Sequence, residues 1–125
     1  MTSLDGGHGR LRRGPDISAV LRGRIQRAGR SMVVHAAERA DVAGGRARVA
    51  VIASRRVGGA VQRNRAKRRL RELVRQLPLR GEVDLVLVAR PRCVDAAFAE
   101  LGAELVELCA ALGVLDTAVP VEVRA

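Results

Sequence analysis

The sequence of 125 residues predicts an α+β fold, a small two-layer sandwich of helices and strands. Three observations predict this class. Apolar residues recur at steps of three and four in three segments, which is typical of amphipathic helices, and they alternate or run continuously in three others, which is typical of strands. The segments follow one another in the order α-β-β-α-β-α, with one further strand left open. The length suits a single domain that buries one modest core.

The chain begins with a basic stretch and a short helix. Pro15 is a favourable helix start, and apolar residues from Ile17 to Leu21 recur at steps of three and four. This spacing predicts an amphipathic helix over about residues 16–22. Residues 1–14 are rich in glycine and arginine, and we predict that they form a flexible basic arm.

Two strands are predicted next, at residues 31–36 and 48–54. Residues 23–29 before them contain basic residues and two glycines, which predicts a loop. Residues 41–46 between the strands contain Gly44-Gly45, a turn signal. The sequence therefore predicts that the two strands pair with each other in antiparallel fashion.

The second half is predicted to contain a long helix, a buried strand and a last helix. The apolar residues of the long helix share one helical face: Ala66, Leu70, Leu73, Val74 and Leu77. Pro78 ends this helix, and residues 84–89 form a nearly continuous apolar run, typical of a strand buried on both faces. The last helix is predicted over about residues 94–112. Residues 15–115 are thus predicted to be one domain, followed by a tail at 116–125 that the sequence does not place.

The charge is unevenly distributed along the chain. The formal net charge is +10, and residues 1–80 hold 20 basic and 5 acidic side chains, whereas residues 81–125 hold 3 and 8. Such asymmetry bears on partners more than on fold, and it favours a polyanion. Nucleic acid is the first candidate and an anionic membrane surface the second. Arginine, which supplies 22 of the 23 basic residues, suits bidentate phosphate contacts.

Composition excludes several other classes. No apolar run approaches the ~18–20 residues that a membrane span needs, and the first 13 residues lack the apolar centre of a signal peptide, so we expect a cytoplasmic protein. Phe98 is the only aromatic residue among Phe, Trp and Tyr, which argues against modules that stack bases on aromatic platforms. Cys93 and Cys109 lie among apolar neighbours and are predicted to be buried, reduced thiols. Neither a zinc ligand set nor a catalytic constellation is recognisable.

The long helix carries the densest positive charge. Six of the nine residues from Arg63 to Arg71 are basic, and arginines four positions apart repel one another. A bound polyanion is the simplest partner that would relieve this repulsion; the alternative is a solvated cationic face without a specific ligand. Gly58-Gly59 before the helix is either an ordinary turn or a place where a phosphate approaches the backbone.

Residues 54–71 also have an ordered pattern that is more specific than a basic helix. A Ser-Arg-Arg-Val-Gly approach and an Ala-Val step precede an Arg-Asn-Arg helix, at Ser54, Arg55, Arg56, Val57, Gly58, Ala60, Val61, Arg63, Asn64, Arg65, Lys67, Arg68, Leu70 and Arg71. At these positions the sequence resembles the protein subunit of bacterial ribonuclease P. Weaker matches extend this resemblance along most of the chain: an Arg-Leu-Arg-Arg entry at residues 10–13 and an apolar strand that ends in Ala89-Arg90.

The resemblance implies a subunit of a ribonucleoprotein endonuclease. In that family the RNA subunit cleaves the 5′ leader from precursor tRNA with Mg²⁺, and the protein, inactive alone, binds the catalytic RNA and the leader. The family fold contains a central mixed sheet with a left-handed β-α-β crossover, a handedness that general topology rules would not have predicted. Catalytic side chains are therefore expected in the RNA partner and not in this chain; a protein-bound metal and the oligomeric state are left undetermined.

The resemblance also assigns candidate site residues by position. The RNA-binding candidates are Arg55, Arg56, Arg63, Asn64, Arg65, Lys67, Arg68, Arg69 and Arg71. A leader cleft between the first helix and the sheet would be lined by Ile17, Leu21 and His35, where family members usually have aromatic residues. Stacking on the leader would here be weakened or replaced by van der Waals contact.

Two other functions remain open at this point. A basic RNA-binding protein of ribosomal or nucleoid type needs the same charge, but not the ordered Arg-Asn-Arg spacing. A peripheral membrane protein would insert Leu70, Leu73 and Leu77 into lipid, whereas the predicted strands and second helix offer these side chains a core. No membrane contact is therefore expected.

Overall fold

The computed structural model describes residues 8–39, 45–121 and 123. The helices are α1 (Gly14–Arg22), α2 (Ala60–Arg75) and α3 (Phe98–Leu112), with a short 3-10 helix at Pro91–Val94. The strands are β1 (Gly9–Arg10), β2 (Gln26–Ala28), β3 (Met32–Glu38), β4 (Arg48–Ile52) and β5 (Val83–Ala89). The predicted α+β class is confirmed, and two short strands add to the three that were predicted.

The five strands form one mixed sheet in the order β1-β4-β5-β3-β2. β5 is central, parallel to β4 on one side and antiparallel to β3 on the other. Its residues are buried along almost the whole strand, as the continuous apolar run predicted. The connection from β4 through α2 to β5 is the parallel crossover that the family resemblance implied.

The prediction that the strands at 31–36 and 48–54 pair with each other is wrong. β5 lies between β3 and β4 and pairs with both. The apolar β5 takes the central position because both of its faces are covered, and an alternating pattern in β3 or β4 reveals a buried face but not the neighbouring strand. Of the predicted turn, residues 41–44 lie outside the described part.

Two other predictions need correction because polar or glycine-rich stretches pair at the edges of the sheet. The predicted loop at 23–29 contains β2, whose three residues are all exposed and pair antiparallel with β3. The predicted flexible arm at 1–14 contains β1, parallel to β4, and both His8 and Leu11 are buried. Residues 1–7 lie outside the described part. Edge strands need no apolar pattern, since one side and both faces can be solvated.

The sheet separates two apolar layers. The larger core lies between the sheet and helices α2 and α3, and includes Met32 and Val34 of β3 with Leu70 and Leu73 of α2. The smaller one lies under α1, where Val20 packs with Leu11, Ala50 and Val86. Alternate residues of each strand therefore face opposite layers, and the side covered by α1 is called the α1 face below.

The segment after α3 returns to the core. Gly113 ends α3 in the left-handed conformation (φ 70°), which suits glycine. Leu115 then forms an antiparallel bridge with Leu79, and the amide of Asp116 donates to the carbonyl of Pro78 at 2.6 Å. Val123 packs against the larger core. The beginning of the tail is thus attached to the end of α2.

Cys93 and Cys109 are free thiols within this core, as predicted. Burial raises the pKa of Cys93 to about 11 and that of Cys109 to about 12. Within the described residues, no helix combines the length and apolar character needed to cross a membrane.

Candidate nucleic-acid interface

Helix α2 is fixed to the sheet by one face and presents the rest outward. Ala66, Leu70 and Leu73 are completely buried, and Val74 is nearly so. The helix starts at Gly59 without a side-chain cap. Gly58 before it has φ 143°, a conformation that favours glycine, and a Cβ there would approach the side chain of Gln62 to 2.9 Å. Because of this tight entry, the first turn of α2 follows closely on the basic turn at residues 55–57.

Most of the predicted RNA-binding side chains are available to a partner. None of the following has a hydrogen bond or ion pair from its side chain to another described residue: Arg55, Arg56, Arg63, Asn64, Lys67, Arg68 and Arg71. They form a continuous surface over the turn before α2 and along the helix, which we call the α2 basic surface. Unpaired guanidinium groups on a rigid helix can hold phosphates in a fixed arrangement.

Arg65 and Arg69 lie on the other flank of α2 and bond to the protein itself. The Nε of Arg65 donates to the carbonyl of Val94 at 2.9 Å. Arg69 donates to the carbonyls of Cys93 (2.7 Å), Val94 (2.9 Å) and Ala96, and its guanidinium lies 5.9 Å from the centre of the Phe98 ring. These two arginines hold the 3-10 helix against α2, a role that their identity as basic residues did not reveal.

We expect Arg69→Gln to destabilise the fold, because three carbonyls lose a charged donor. Hydrogen bonds to charged groups contribute about 1.5–3 kcal/mol each, and loss of the set should lower the free energy of unfolding by at least about 2 kcal/mol. Arg68→Gln, one residue away on the α2 basic surface, should change it by less than about 0.5 kcal/mol. Urea unfolding of both variants measures the difference. Equal midpoints would show that Arg69 does not stabilise the 3-10 helix.

The three cleft candidates all belong to the α1 side of the sheet. Ile17 is half-buried and packs on the smaller core, and Leu21, one turn later, is 36% exposed. His35 lies in β3, paired with Val86 of β5, a member of that same core, and with Gln26 of β2. The arrangement is an apolar strip beside α1 with one imidazole in it, as the resemblance implied; whether it binds a leader stays a prediction.

The His35 ring has a buried nitrogen with no partner. Its Nδ1 is inaccessible and unbonded among the described residues, and burial lowers the pKa of His35. Since a buried N–H without an acceptor is costly, the neutral ring is expected to carry its proton on Nε2.

This shift predicts that acid destabilises the protein through His35. Below the ordinary pKa of about 6.5 the unfolded chain takes up a proton that the folded ring resists, so stability is retained above pH 6.5 and falls as the pH drops below it. The free energy of unfolding of the His35→Gln variant should therefore decline less between pH 7.5 and pH 5 than that of the unmodified protein. The measurement is the urea midpoint of both proteins across this range. Parallel curves would exclude His35 as the source.

A groove of about 450 Å³ opens at the edge of the sheet, between α1, β4 and α2. Aliphatic side chains form much of its lining, among them Leu11, Ile17, Val49, Val51 and Ile52. Arginine side chains of α2 line it as well: Arg68, Arg71 and Arg75. We call it the β4 groove. Sequence reasoning missed it, because β1 and β4 are 38 residues apart, from Arg10 to Arg48, and no local pattern predicts that they meet.

His8 is another residue that the sequence did not single out. It is 7% exposed, and its Nε2–H donates to the carbonyl of Leu77 at 2.7 Å. This contact connects the residue before β1 to the segment after α2, and His8 also lines the β4 groove. A single histidine next to glycines gives no signal of such a contact.

A buried carboxylate joins three strand ends on the α1 face. Asp84 at the start of β5 is 5% exposed and accepts two hydrogen bonds from Arg48 of β4, at 2.9 and 2.7 Å. Arg39, after β3, lies 3.4 Å from the same carboxylate. Two cations around one buried carboxylate make a structural ion pair: Arg48 supplies both hydrogen bonds, and Arg39 adds a charge contact without a hydrogen bond from its Nε.

Within the described ranges, no three His, Cys, Asp or Glu side chains converge as metal ligands would. The charged side chains of the α2 basic surface are arginine and lysine, which donate hydrogen bonds. Chemically this arrangement can bind and orient an anionic polymer.

Comparison with known proteins agrees with this geometry. Residues 7–113 match the family profile described as Ribonuclease P. The chain is 44% identical over 99 residues to a ribonuclease P protein component from a Nocardioides species, covering 77% of this chain and 84% of that protein. It is 43% identical over 70 residues to that of Thermus aquaticus, covering 56% of this chain but only 43% of that protein.

The fold has solved counterparts too. The structure of the Staphylococcus aureus RNase P protein superimposes with a TM-score of 0.73 at 22% identity, covering 86% of this chain and 97% of that one. At this identity the likeness concerns the fold, which is the same mixed sheet with its helices.

Proposed function

The chain belongs to the ribonuclease P protein component family, and we propose that it binds the catalytic RNA subunit and the 5′ leader of precursor tRNA. The single observation that carries this proposal is the α2 basic surface. Its seven polar side chains have no partners among the described residues, whereas Arg65 and Arg69 of α2 bond to carbonyls and Arg75 pairs with Glu72. A surface on a helix fixed to the core, whose cations have no acidic partner among residues 8–39, 45–121 and 123, suits a polyanion of fixed shape.

The division of labour follows from the side chains available. Guanidinium and ammonium groups position phosphates and neutralise their charge, but they do not act as general bases at neutral pH. We therefore assign endonucleolytic cleavage to the RNA partner, with Mg²⁺ held by that RNA and its substrate. The protein contributes affinity and orientation, and we expect it to act in the cytoplasm.

The leader is proposed to lie on the α1 face, in the strip beside Ile17, Leu21 and His35. Ile17 and Leu21 offer aliphatic contact to bases where aromatic stacking is missing, and His35 offers a hydrogen bond from its ring. This cleft opens on the opposite side of the sheet from the larger core. An RNA on the α2 basic surface and a leader in the cleft would therefore contact different parts of the molecule.

Reconstitution tests the proposal. The chain is mixed with the ribonuclease P RNA from the same genome and a precursor tRNA, and cleavage is followed over a Mg²⁺ series. We expect no cleavage by the protein alone and cleavage by the pair at Mg²⁺ concentrations at which the RNA alone is slow. Unchanged Mg²⁺ dependence would overturn the proposal. The ribosomal or nucleoid alternative predicts the same basic surface but no effect on precursor tRNA, and the family match disfavours it.

A further inference from the structure

The β4 groove exposes an unpaired piece of strand. β1 pairs only with Arg48 and Val49, and the amide of Leu11 donates to the carbonyl of Val49 at 2.9 Å before the chain leaves for α1. Alternate residues of a strand direct their backbone groups to opposite neighbours. The N–H and C=O of Val51 therefore point away from β5, as those of Val49 do, and no described residue bonds them. With respect to the described part of the chain, the groove floor therefore presents one free donor and one free acceptor.

The walls of the groove suit a flat ring. Ile17 and Ile52 lie towards α1, whereas Val49 and Val51 belong to the larger core on the other side of β4. A planar group that hydrogen-bonds to the strand edge would lie between these aliphatic layers. The volume of about 450 Å³ lies within the roughly 300–1,000 Å³ of small-molecule sites.

Positive charge predominates at the outer rim, where three arginines and one carboxylate, Glu72, line the groove. Arg68 and Arg71 are exposed and have no side-chain partner among the described residues, whereas Arg75 next to them pairs with Glu72. Two guanidinium groups less than one helical turn apart can bind one phosphate together. An apolar slot with a strand edge at its floor and two free arginines at its rim combines the features that recognise a base and its phosphate.

We propose that the β4 groove binds a single nucleotide, its base hydrogen-bonded to the backbone of Val51 and its phosphate held by Arg68 and Arg71. Every base presents an acceptor beside a donor on its pairing edge. The site is therefore expected to distinguish nucleotides from other anions, but to distinguish one base from another only weakly. The inference rests on the proposed function, since an unstacked nucleotide of a bound RNA supplies both a base and a phosphate. A free nucleotide supplies the same two groups. An extended acidic peptide could use the same strand edge, but a guanidinium pair and a flat slot favour the nucleotide.

Nuclear magnetic resonance titration of the ¹⁵N-labelled full chain at low salt tests this inference without the catalytic RNA. The probes are adenosine 5′-monophosphate, adenosine, inorganic phosphate, a five-nucleotide oligoadenylate and an acidic pentapeptide. We expect the monophosphate to shift the amides of Val49–Ile52 and to bind at least tenfold more tightly than phosphate or adenosine alone. Hydrogen exchange of the Val51 amide should slow when it binds. If the oligoadenylate shifts the same amide resonances and binds more tightly than the monophosphate, the natural ligand is RNA. If only the monophosphate shifts them, the natural ligand is a free nucleotide.

Matched variants define the rim. Arg68→Gln/Arg71→Gln should weaken monophosphate binding at least tenfold, whereas Arg22→Gln/Arg27→Gln, which removes two exposed cations elsewhere, should leave it unchanged. Equal affinity for phosphate and the monophosphate, tighter binding of the peptide, or shifts confined to other residues would each overturn the proposal. Because the free chain is used, a failure here is distinct from a failure to activate the ribonuclease P RNA.

Discussion

The variant Arg63→Gln/Lys67→Gln is expected to bind the catalytic RNA about 100-fold more weakly than the unmodified chain. The two side chains lie one turn apart on the α2 basic surface, and neither has a partner among the described residues. Each charged hydrogen bond to a phosphate is worth about 1.5–3 kcal/mol. Loss of two of them gives about 3 kcal/mol or more, which is a hundredfold in Kd. The fold should not suffer, because both residues contact solvent on their outer side.

Filter binding or fluorescence anisotropy over a salt series measures this effect. The slope of log K against log salt should become shallower by roughly 1.5, since two phosphate contacts at about 0.7–0.9 each are removed. Arg22→Gln/Arg27→Gln serves as the control, because it lowers the net charge equally from positions outside the α2 basic surface. An equal loss in both variants would mean that net charge, and not this surface, determines binding.

The second large effect is expected at Asp84. Asp84→Asn should lower the free energy of unfolding by about 3–5 kcal/mol, since breaking a buried ion pair leaves cationic groups without their counter-charge. The unpaired charge of Arg39 should contribute more to this loss than that of Arg48, because the Arg39 side chain is only 12% exposed, whereas that of Arg48 is 34% exposed. Three strand ends would lose the group that joins them.

Equilibrium unfolding in urea provides the measurement, and Glu38→Gln provides the control. Glu38 pairs with Arg80 at 2.6 Å at the end of neighbouring β3, but its side chain is 70% exposed. An exposed ion pair contributes at most about 1 kcal/mol. If Asp84→Asn does not fold, Arg48→Gln removes the more exposed partner and should show a smaller loss. A loss at Asp84 no larger than at Glu38 would contradict the structural role.

The sequence predicted local structure better than it predicted neighbours. The apolar run at residues 84–89 was correctly interpreted as a doubly buried strand, because that pattern depends on its own surroundings. The pairing of β3 with β4 was predicted wrongly, since strand order depends on contacts between distant segments. β1 and β2 were missed because short edge strands lack an apolar period.

The candidate site shows the same limit. Charge and spacing identified α2 and its outward face; the structure places five of the nine predicted residues on that face and two, Arg55 and Arg56, in the turn before it. Arg65 and Arg69 are the same residue type on the same helix as the arginines of the α2 basic surface. Only the position of the 3-10 helix shows that their donors bond to carbonyls within the protein. Predicting the β4 groove would have required knowledge of the residue at which β1 ends. Functions of individual arginines therefore depend on what the fold brings opposite them.

The central place of β5 has a consequence for the order of events during synthesis. Among the described strands it is the last to be translated, yet β3 and β4 both pair with it and not with each other. Until residue 89 has left the ribosome, the sheet lacks the strand that joins its halves, and the preceding chain can form helices but no complete core. During this interval the nascent polypeptide is a strongly basic, unassembled chain beside ribosomal RNA. We therefore expect the protein to become compact late, after its most apolar strand and then α3 have left the ribosome.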